Sequence, residues 1–233
     1  MVERQTLNLY VRGSNPCSPA TIIGVSSKGR TADFDSAYRG SNPCTPANTK
    51  YMMRHLIDLF ETKREEIKLD PLPYKVDDLA PILSGDNVDY HYHVLSKGYV
   101  DRYNNGEGDP AFNLGGAKLH NMWWAQLEPR EGLNNPKGDI RDLIEKNYTS
   151  MGGFIEAMTE EAKTIQGSGW VYLAKSGDVK TTPNQSFKSD MILPIDMWEH
   201  SWTDYTPSKN AKKDYIRSIM KIINYDIINE RLR

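Results

Sequence analysis

The sequence predicts an α+β fold: an antiparallel helical hairpin, then a lobe in which helices cover a short three-stranded antiparallel sheet. Two segments with apolar residues at helical spacing flank the breaker Asn104-Asn-Gly-Glu-Gly-Asp-Pro110. Helices joined by so short a connection pack antiparallel. A Gly, Pro and Asn-rich stretch from Pro129 to Asp139 marks the next boundary. Beyond it, short apolar runs bounded by turn residues alternate with helical segments, the pattern of helices laid on a small sheet.

Each element has its own local reason. Residues 52–68 carry apolar side chains at 53, 56, 57, 59 and 60 before turning charged, which reads as a short helix or an ordered lead-in. Pro73, within Leu72-Pro-Tyr74, holds the preceding residue extended. Ser84-Gly-Asp86 caps a helix running to about Asn104, in which His91, Leu95 and Tyr99 recur every four residues on one face. A second helix, from about Asn113 to Leu127, gathers Gly116, His120, Trp123, Trp124 and Leu127 on one face. Antiparallel packing then brings His91 and His120 together in the interior. In the second lobe, 140–147 and 151–165 read as helices, 167–174, 179–182 and 191–195 as strands, and 214–231 as a final amphipathic helix. Gly177-Asp178 turns the chain between the first two strands. The expected divisions are therefore 1–51, an extension; 52–135, the helical-hairpin domain; and 136–233, the α/β domain.

The extension is a different kind of sequence. Arg12-Gly-Ser-Asn-Pro-Cys17-Ser-Pro-Ala20 recurs as Arg39-Gly-Ser-Asn-Pro-Cys44-Thr-Pro-Ala47, 27 residues later. Two units this polar bury little, so a solenoid is not expected, and disorder is. A second reading concerns the gene. Gly-Ser-Asn-Pro is encodable as GGT-TCG-AAT-CCN, which reads like the T-arm of a transfer RNA gene, and the offset of 81 nucleotides is about one such gene in length. Residues 1 to about 51 then read as translated tandem tRNA genes, with the native start at Met52 or Met53, a setting that suits a bacterium or a phage.

Composition narrows the function classes. Among 233 residues the net charge is −2, so no basic excess points to nucleic acid as a partner. No apolar stretch reaches the length of a membrane span, and no signal-peptide pattern stands at the N-terminus. Both cysteines lie in the extension, so neither a disulfide framework nor a cysteine zinc site is expected. A soluble cytoplasmic protein is the expectation.

The residues that carry chemistry converge on a metal. Asp196-Met-Trp-Glu-His200 follows the strand-like run Met191-Ile-Leu-Pro-Ile195 and offers a carboxylate and an imidazole. With His91 and His120 this makes a four-ligand set with an open position, suited to a redox-active first-row ion. Each member has a blander reading. A histidine on an apolar helix face is more often a satisfied core residue than a ligand, and Asp-x-x-x-His on a helix is more often an exposed ion pair. Trp123, Trp124, Trp170 and Trp198 are first of all packing residues.

Taken in order, the landmarks resemble the iron/manganese superoxide dismutases from about Leu72 to Leu232. They are Leu72-Pro-Tyr74, His91 with Tyr99-Val100, Gly115-Gly116-Ala-Lys-Leu-His120 with Trp124, Gly167-Ser-Gly-Trp170, Asn184-Gln185, Asp196-Met-Trp-Glu-His200, and Asp214-Tyr-Ile216 leading to Ile223-Asn-Tyr-Asp226. The resemblance implies one manganese or iron ion per subunit, held by His91, His120, Asp196 and His200, two from each lobe. It implies disproportionation of superoxide to oxygen and hydrogen peroxide. A metal-bound water held by Asp196 and a neighbouring amide supplies one proton, and Tyr99 relays others. Gly116 leaves a gap that Gln185 fills from the other lobe, the manganese-type placement of the glutamine. Trp124, Trp170 and Trp198 wall the site, and Glu199 belongs to the interface of a homodimer. His55 and His93 match no ligand position and are expected on the surface. Two departures stand out: Leu95 replaces a histidine that lines the family's access funnel, and Thr203 replaces its tyrosine partner. Two other classes stay in view, a dismutase-like fold kept as a structural or interaction module without turnover, and a metal-dependent oxygenase, for which no organic-substrate pocket is evident.

Overall fold

The computed structural model describes residues 65–129 and 134–233, together with a two-residue ladder in which β1 (Gly24–Val25) pairs antiparallel with β2 (Thr31–Ala32). The remaining expectations for residues 1–51, and His55, lie outside the described residues. The chain divides into two compact units, residues 1–63 and 64–233. All that follows concerns the second.

Of the lead-in expected over 52–68, residues 65–68 are described, and they are not helical. Two asparagines dock this segment instead. Asn104 accepts from the Ile67 N–H (3.1 Å) and donates to the Ile67 carbonyl (2.9 Å), while Asn121 donates to Lys68 O (2.8 Å) and accepts from Asp70 N (3.1 Å). Side-chain amides supply the pairing that a helix would have supplied internally.

The hairpin begins where the Ser84 side chain caps α1 (Gly85–Asp89) by accepting from Asn87 N. A π-helical stretch, Tyr90–Ser96, continues into α2 (Lys97–Asn104). The wider turn adds a residue, and it corrects the expected face. The buried positions include His91, Ser96 and Tyr99, spaced five and then three, whereas Leu95 is only half-buried. The Ser96 hydroxyl donates to His91 O at 2.8 Å and occupies the widened turn. The return helix α3 (Pro110–Ala125) starts three residues before its expected position, because Asp109 accepts from Phe112 N and Pro110 needs no donor partner in the first turn.

In the second half, α4 (Asp139–Tyr148) and α5 (Met151–Lys163) precede the sheet. Its strands β3 (Gly169–Ala174), β4 (Val179–Pro183) and β5 (Met191–Asp196) run antiparallel in the order β4-β3-β5. The central β3 aligns Trp170 with Asp196 on one side and Thr182 on the other. Both β3 and β5 are buried at every position, so helices cover both faces of the sheet there. A 3-10 segment, Glu199–Tyr205, leads to α6 (Ala211–Ile219), a 3-10 turn (Met220–Ile222) and α7 (Tyr225–Leu232).

The single C-terminal helix expected over 214–231 is thus two helices. Ile223 is extended and bridges to Leu127, Asn224 N donates to Gln126 O (2.8 Å), and the Asn224 side chain caps α7. An asparagine cap and a β-bridge in mid-run outcompete helical periodicity, which continues through the break. Near the end of α7, Arg231 reaches inward. Its Nη1 donates to Gln126 Oε1 (2.8 Å) and Ile192 O (3.0 Å), and its Nη2 to Met122 O (2.7 Å). One guanidinium therefore ties α7 to both α3 and β5.

Candidate metal centre

Four elements each deliver one polar side chain to the same interior point. His91 comes from the π-helical turn, His120 from α3, Asp196 from the last position of β5, and His200 from the 3-10 segment. Asp196 Oδ2 lies 3.3 Å from His91 Nε2, 3.4 Å from His200 Nε2 and 3.8 Å from His120 Nε2. One ligand atom from each residue falls within 4.8 Å of all the others. The Asp196 and His120 side chains are fully buried, and that of His200 is 20% exposed, so the cluster opens beside His200. The blander readings do not apply here: Asp196 and His200 share no helix, and the histidines are not satisfied core residues. All three Nε2 atoms and Asp196 Oδ2 are buried without a hydrogen-bond partner. Four orphaned atoms converging on one point fit a cation, because burying them unpaired is otherwise costly.

Local bonds aim these atoms. The Gly116 carbonyl lies 2.7 Å from His120 Nδ1, and since a carbonyl only accepts, Nδ1 carries the proton and Nε2 presents its lone pair. Asp196 Oδ1 accepts from Trp198 N (2.8 Å), leaving Oδ2 for the cluster. The His200 carbonyl accepts from Asn87 Nδ2 (2.9 Å) and from the Thr203 hydroxyl (3.1 Å). Charge follows from burial. Desolvation lowers His91 below its usual value and pushes His120 down to about 3, so both imidazoles are neutral near pH 7. For Asp196, burial opposes ionisation, but the facing nitrogens of His200 and His91 outweigh it and hold the carboxyl below its usual range. One anionic oxygen and neutral imidazoles are the donor set that a divalent or trivalent first-row ion takes.

An aromatic and amide shell surrounds the cluster. Ring centroids of Trp124 and His91 lie 4.8 Å apart, those of Trp170 and His120 5.3 Å, and those of Trp198 and His200 6.0 Å. Trp170 Nε1 donates to Gln185 Oε1, and Gln185 Nε2 donates to Tyr99 Oη, both at 3.0 Å. Burial raises the Tyr99 phenol above its ordinary value, with the Gln185 hydrogen bond acting against it, so the hydroxyl keeps its proton at neutral pH. Room for these groups comes from two glycines. A Cβ at Gly116 would meet the Tyr99 ring at 2.6 Å, and one at Gly115 would meet Gln185 O at 1.9 Å. The space at Gly116 is therefore taken by the tyrosine ring, and the glutamine main chain crosses over Gly115. His93 lies exposed beside Asp89, 2.8 Å from its carboxylate, and Glu199 is exposed next to His200. Thr203 bonds within its own chain, to Asn87 Nδ2 (3.2 Å) as well as to His200 O.

Sequence reasoning passed over two residues that support the ligands. Ser96 accepts from Trp124 Nε1 (2.9 Å) while donating to His91 O, linking a wall residue to a ligand's main chain. No helical pattern signals it, because it reaches the buried face only through the π turn. Asn87 carries a readable signal, since it lies four residues before His91 on the same helical rod.

The family model described as iron/manganese superoxide dismutases, C-terminal domain, matches residues 136–231, and the alpha-hairpin domain of the same family matches residues 66–110. The chain is 31% identical to Superoxide dismutase [Fe] of Saccharolobus solfataricus over 201 residues, 72% of this chain and 94% of that protein. It is 31% identical to Superoxide dismutase [Mn] 1, mitochondrial, of Arabidopsis thaliana over 194 residues, 70% of this chain and 83% of that one. It is 30% identical to Superoxide dismutase [Mn/Fe] of Porphyromonas gingivalis over 190 residues, 70% and 98% respectively.

Proposed function

The chain belongs to the iron/manganese superoxide dismutase family, and from that premise we infer that His91, His120, Asp196 and His200 hold its single metal ion. The protein is an oxidoreductase that disproportionates superoxide to oxygen and hydrogen peroxide. The observation that carries the ligand assignment is the convergence of four buried, unpartnered donor atoms within 4.8 Å.

A bound iron or manganese ion would supply the divalent/trivalent couple, taking an electron from one superoxide and giving one to the next. The chain's own residues do the rest. Tyr99 Oη, held by Gln185 Nε2 at 3.0 Å, keeps a proton beside the ligands for transfer toward the peroxide product. Gln185 is held in turn by the Trp170 indole, so the three groups form one relay of fixed geometry. Trp124, Trp170 and Trp198 wall the ligands from bulk water, which strengthens every charge interaction inside and tunes the site through its surroundings. Gln185 sits on the β4–β5 connection, on the C-terminal side of the fold, with the Gly116 position left without a side chain. That placement favours manganese, while the relatives' names span iron, manganese and both.

The same reading divides the globular part into a helical-hairpin domain, 52–135, and an α/β domain, 136–233, with family matches at 66–110 and 136–231 in support. It makes the active form a homodimer with Glu199, exposed next to His200, at the interface. A cytoplasmic setting belongs to the proposal on composition, and no helix among the described residues is long and apolar enough to cross a membrane.

Elemental analysis and a superoxide assay on the purified chain, loaded with manganese or with iron, test the function. One equivalent of metal with metal-dependent turnover is expected. Stoichiometric metal without turnover would return the fold to a binding role. Sedimentation as a monomer at assay concentrations would remove the dimer.

A further inference from the structure

His200 is the least confined of the four ligands. Its side chain is 20% exposed, and it lies in a 3-10 segment interrupted at Trp202, where φ is −119° and ψ 17°. Its main chain has the hydrogen bonds of a 3-10 segment, Ser201 N to Trp198 O at 3.0 Å among them, and two side chains add to these, both on the His200 carbonyl. Asn87 Nδ2 donates to His200 O at 2.9 Å and also to Thr203 Oγ1 at 3.2 Å, while the Thr203 hydroxyl donates to His200 O at 3.1 Å. Asn87 stands one turn before His91 on the same helical rod. One amide therefore links the element carrying His91 to the backbone of His200, across 113 residues of chain.

The amide is not there for packing. Asn87 is 9% exposed, and its Oδ1 is buried with no hydrogen-bond partner. An apolar side chain of the same size would avoid that orphaned acceptor. The amide is thus used through its donor alone, and both bonds of that donor go to the segment that carries His200. A second tie between the same two elements touches no ligand: Ser84 N and Oγ bond to Asp204 at 2.8 and 2.9 Å.

We propose that Asn87 is a positioning residue for the metal centre, setting the distance between His91 and His200 through the His200 carbonyl, with Thr203 as its auxiliary. The inference rests on the four-ligand reading of the site. Loss of an outer partner of a metal ligand weakens metal binding by about 10–100-fold, because the ligand then wanders from its coordinating orientation. The replacement of choice is Asn87→Leu, which keeps the number and branching of the side-chain heavy atoms and removes both the donor and the unpaired acceptor.

The test uses the full chain loaded with manganese. Metal release to excess EDTA is followed by elemental analysis, beside the melting temperature of the metal-free protein. Asn87→Leu is expected to release manganese about 10–100-fold faster than wild type, with little change in metal-free melting temperature. Asp204→Ala, which removes the neighbouring tie and leaves the Ser84 cap on Asn87 N in place, should lower the melting temperature yet release manganese at the wild-type rate. Thr203→Val should accelerate release to a smaller degree, and it carries the test if Asn87→Leu does not fold. Wild-type release from Asn87→Leu, or from Thr203→Val in its place, overturns the proposal. So does equal acceleration in Asp204→Ala, which would mean general loosening. A wild-type chain that takes up neither manganese nor iron fails the ligand reading itself, which the loading step detects before any variant is compared.

Discussion

At Asp196 a fully buried carboxylate oxygen without a hydrogen bond faces three imidazole nitrogens, so its removal leaves three ligands and no anionic donor. Asp196→Ala or His120→Ala is expected to abolish stable metal binding, and full occupancy of either variant by elemental analysis would refute the ligand set. The same burial makes a pH prediction. His120 is held at about 3 against an ordinary value of 6.5, so below pH 6.5 the unfolded chain binds a proton that the folded one refuses. Stability must then fall as pH falls from 6.5 toward about 3, at about 1.4 kcal/mol per unit. Urea unfolding of the metal-free protein should show a loss of about 2–3 kcal/mol from this residue between pH 6.5 and 4.5. A flat profile over that interval would contradict it. Tyr99→Phe removes the one hydroxyl bonded to Gln185 Nε2. It should lower turnover while leaving metal content unchanged, since proton supply contributes to rate and not to ligation. The four ligands, Tyr99 and Gln185 were all legible as residues in the sequence, because their spacing matches a known pattern. Ser96 was not, because it reaches the buried face only through the π turn, and the spacing of Asn87 to His91 gave its face but not its bond to the distant His200 carbonyl.

Elements decide which of those residues meet. A helix of ordinary pitch through residues 85–104 would carry His91, Leu95 and Tyr99 on one face, and the π turn replaces Leu95 with Ser96 there. Periodicity identified the helix and missed its defect, since one widened turn changes no propensity that a sequence pattern records. The break between α6 and α7 escaped for a similar reason: apolar spacing continues through Ile222 and Ile223, while the Leu127 bridge and Asn224 cap end the helix. Arg231 shows how the pieces are then held. It satisfies Gln126 Oε1, Met122 O and Ile192 O, joining the helix that carries His120 to the strand that ends in Asp196. Arg231→Met keeps much of the stem and leaves those acceptors without their donor. A loss of about 2–4 kcal/mol in denaturant unfolding is expected, and a loss below about 0.5 kcal/mol, the usual range of surface substitutions, would show that the clamp adds nothing.

Across the described residues, the core runs from Leu79, in the 3-10 turn Val76–Leu79 before α1, to Ile228 in α7 and includes the fully buried Trp123, Trp170, Tyr215 and Phe154. The family matches begin at residue 66. Deletion of residues 1–51 is therefore expected to leave melting temperature, metal content and turnover unchanged, and a fall of many degrees would show that the segment contributes to the fold. The repeat of Arg-Gly-Ser-Asn-Pro-Cys at 12 and 39 makes a companion prediction about the gene. Intact mass of the protein from its native source should correspond to a start at Met52 or Met53, and a native species retaining Cys17 would refute it.

By itself the sequence determined the fold class, most of its helices and strands, and the four residues proposed here as ligands. Those follow from the hydrophobic period, turn residues and motif order, each carried by neighbours along the chain. Tertiary structure alone decided which atoms of those residues face one another, that Tyr99 fills the space at Gly116, and that Asn87 reaches His200. The physical reason is range. Periodicity and propensity act over a few residues, whereas the bond from Asn87 to His200 closes 113 residues and that from Gln185 to Tyr99 closes 86. Contacts that distant form only when the helical rod, β5 and the 3-10 segment have packed, so their partners are set by geometry that no local pattern encodes.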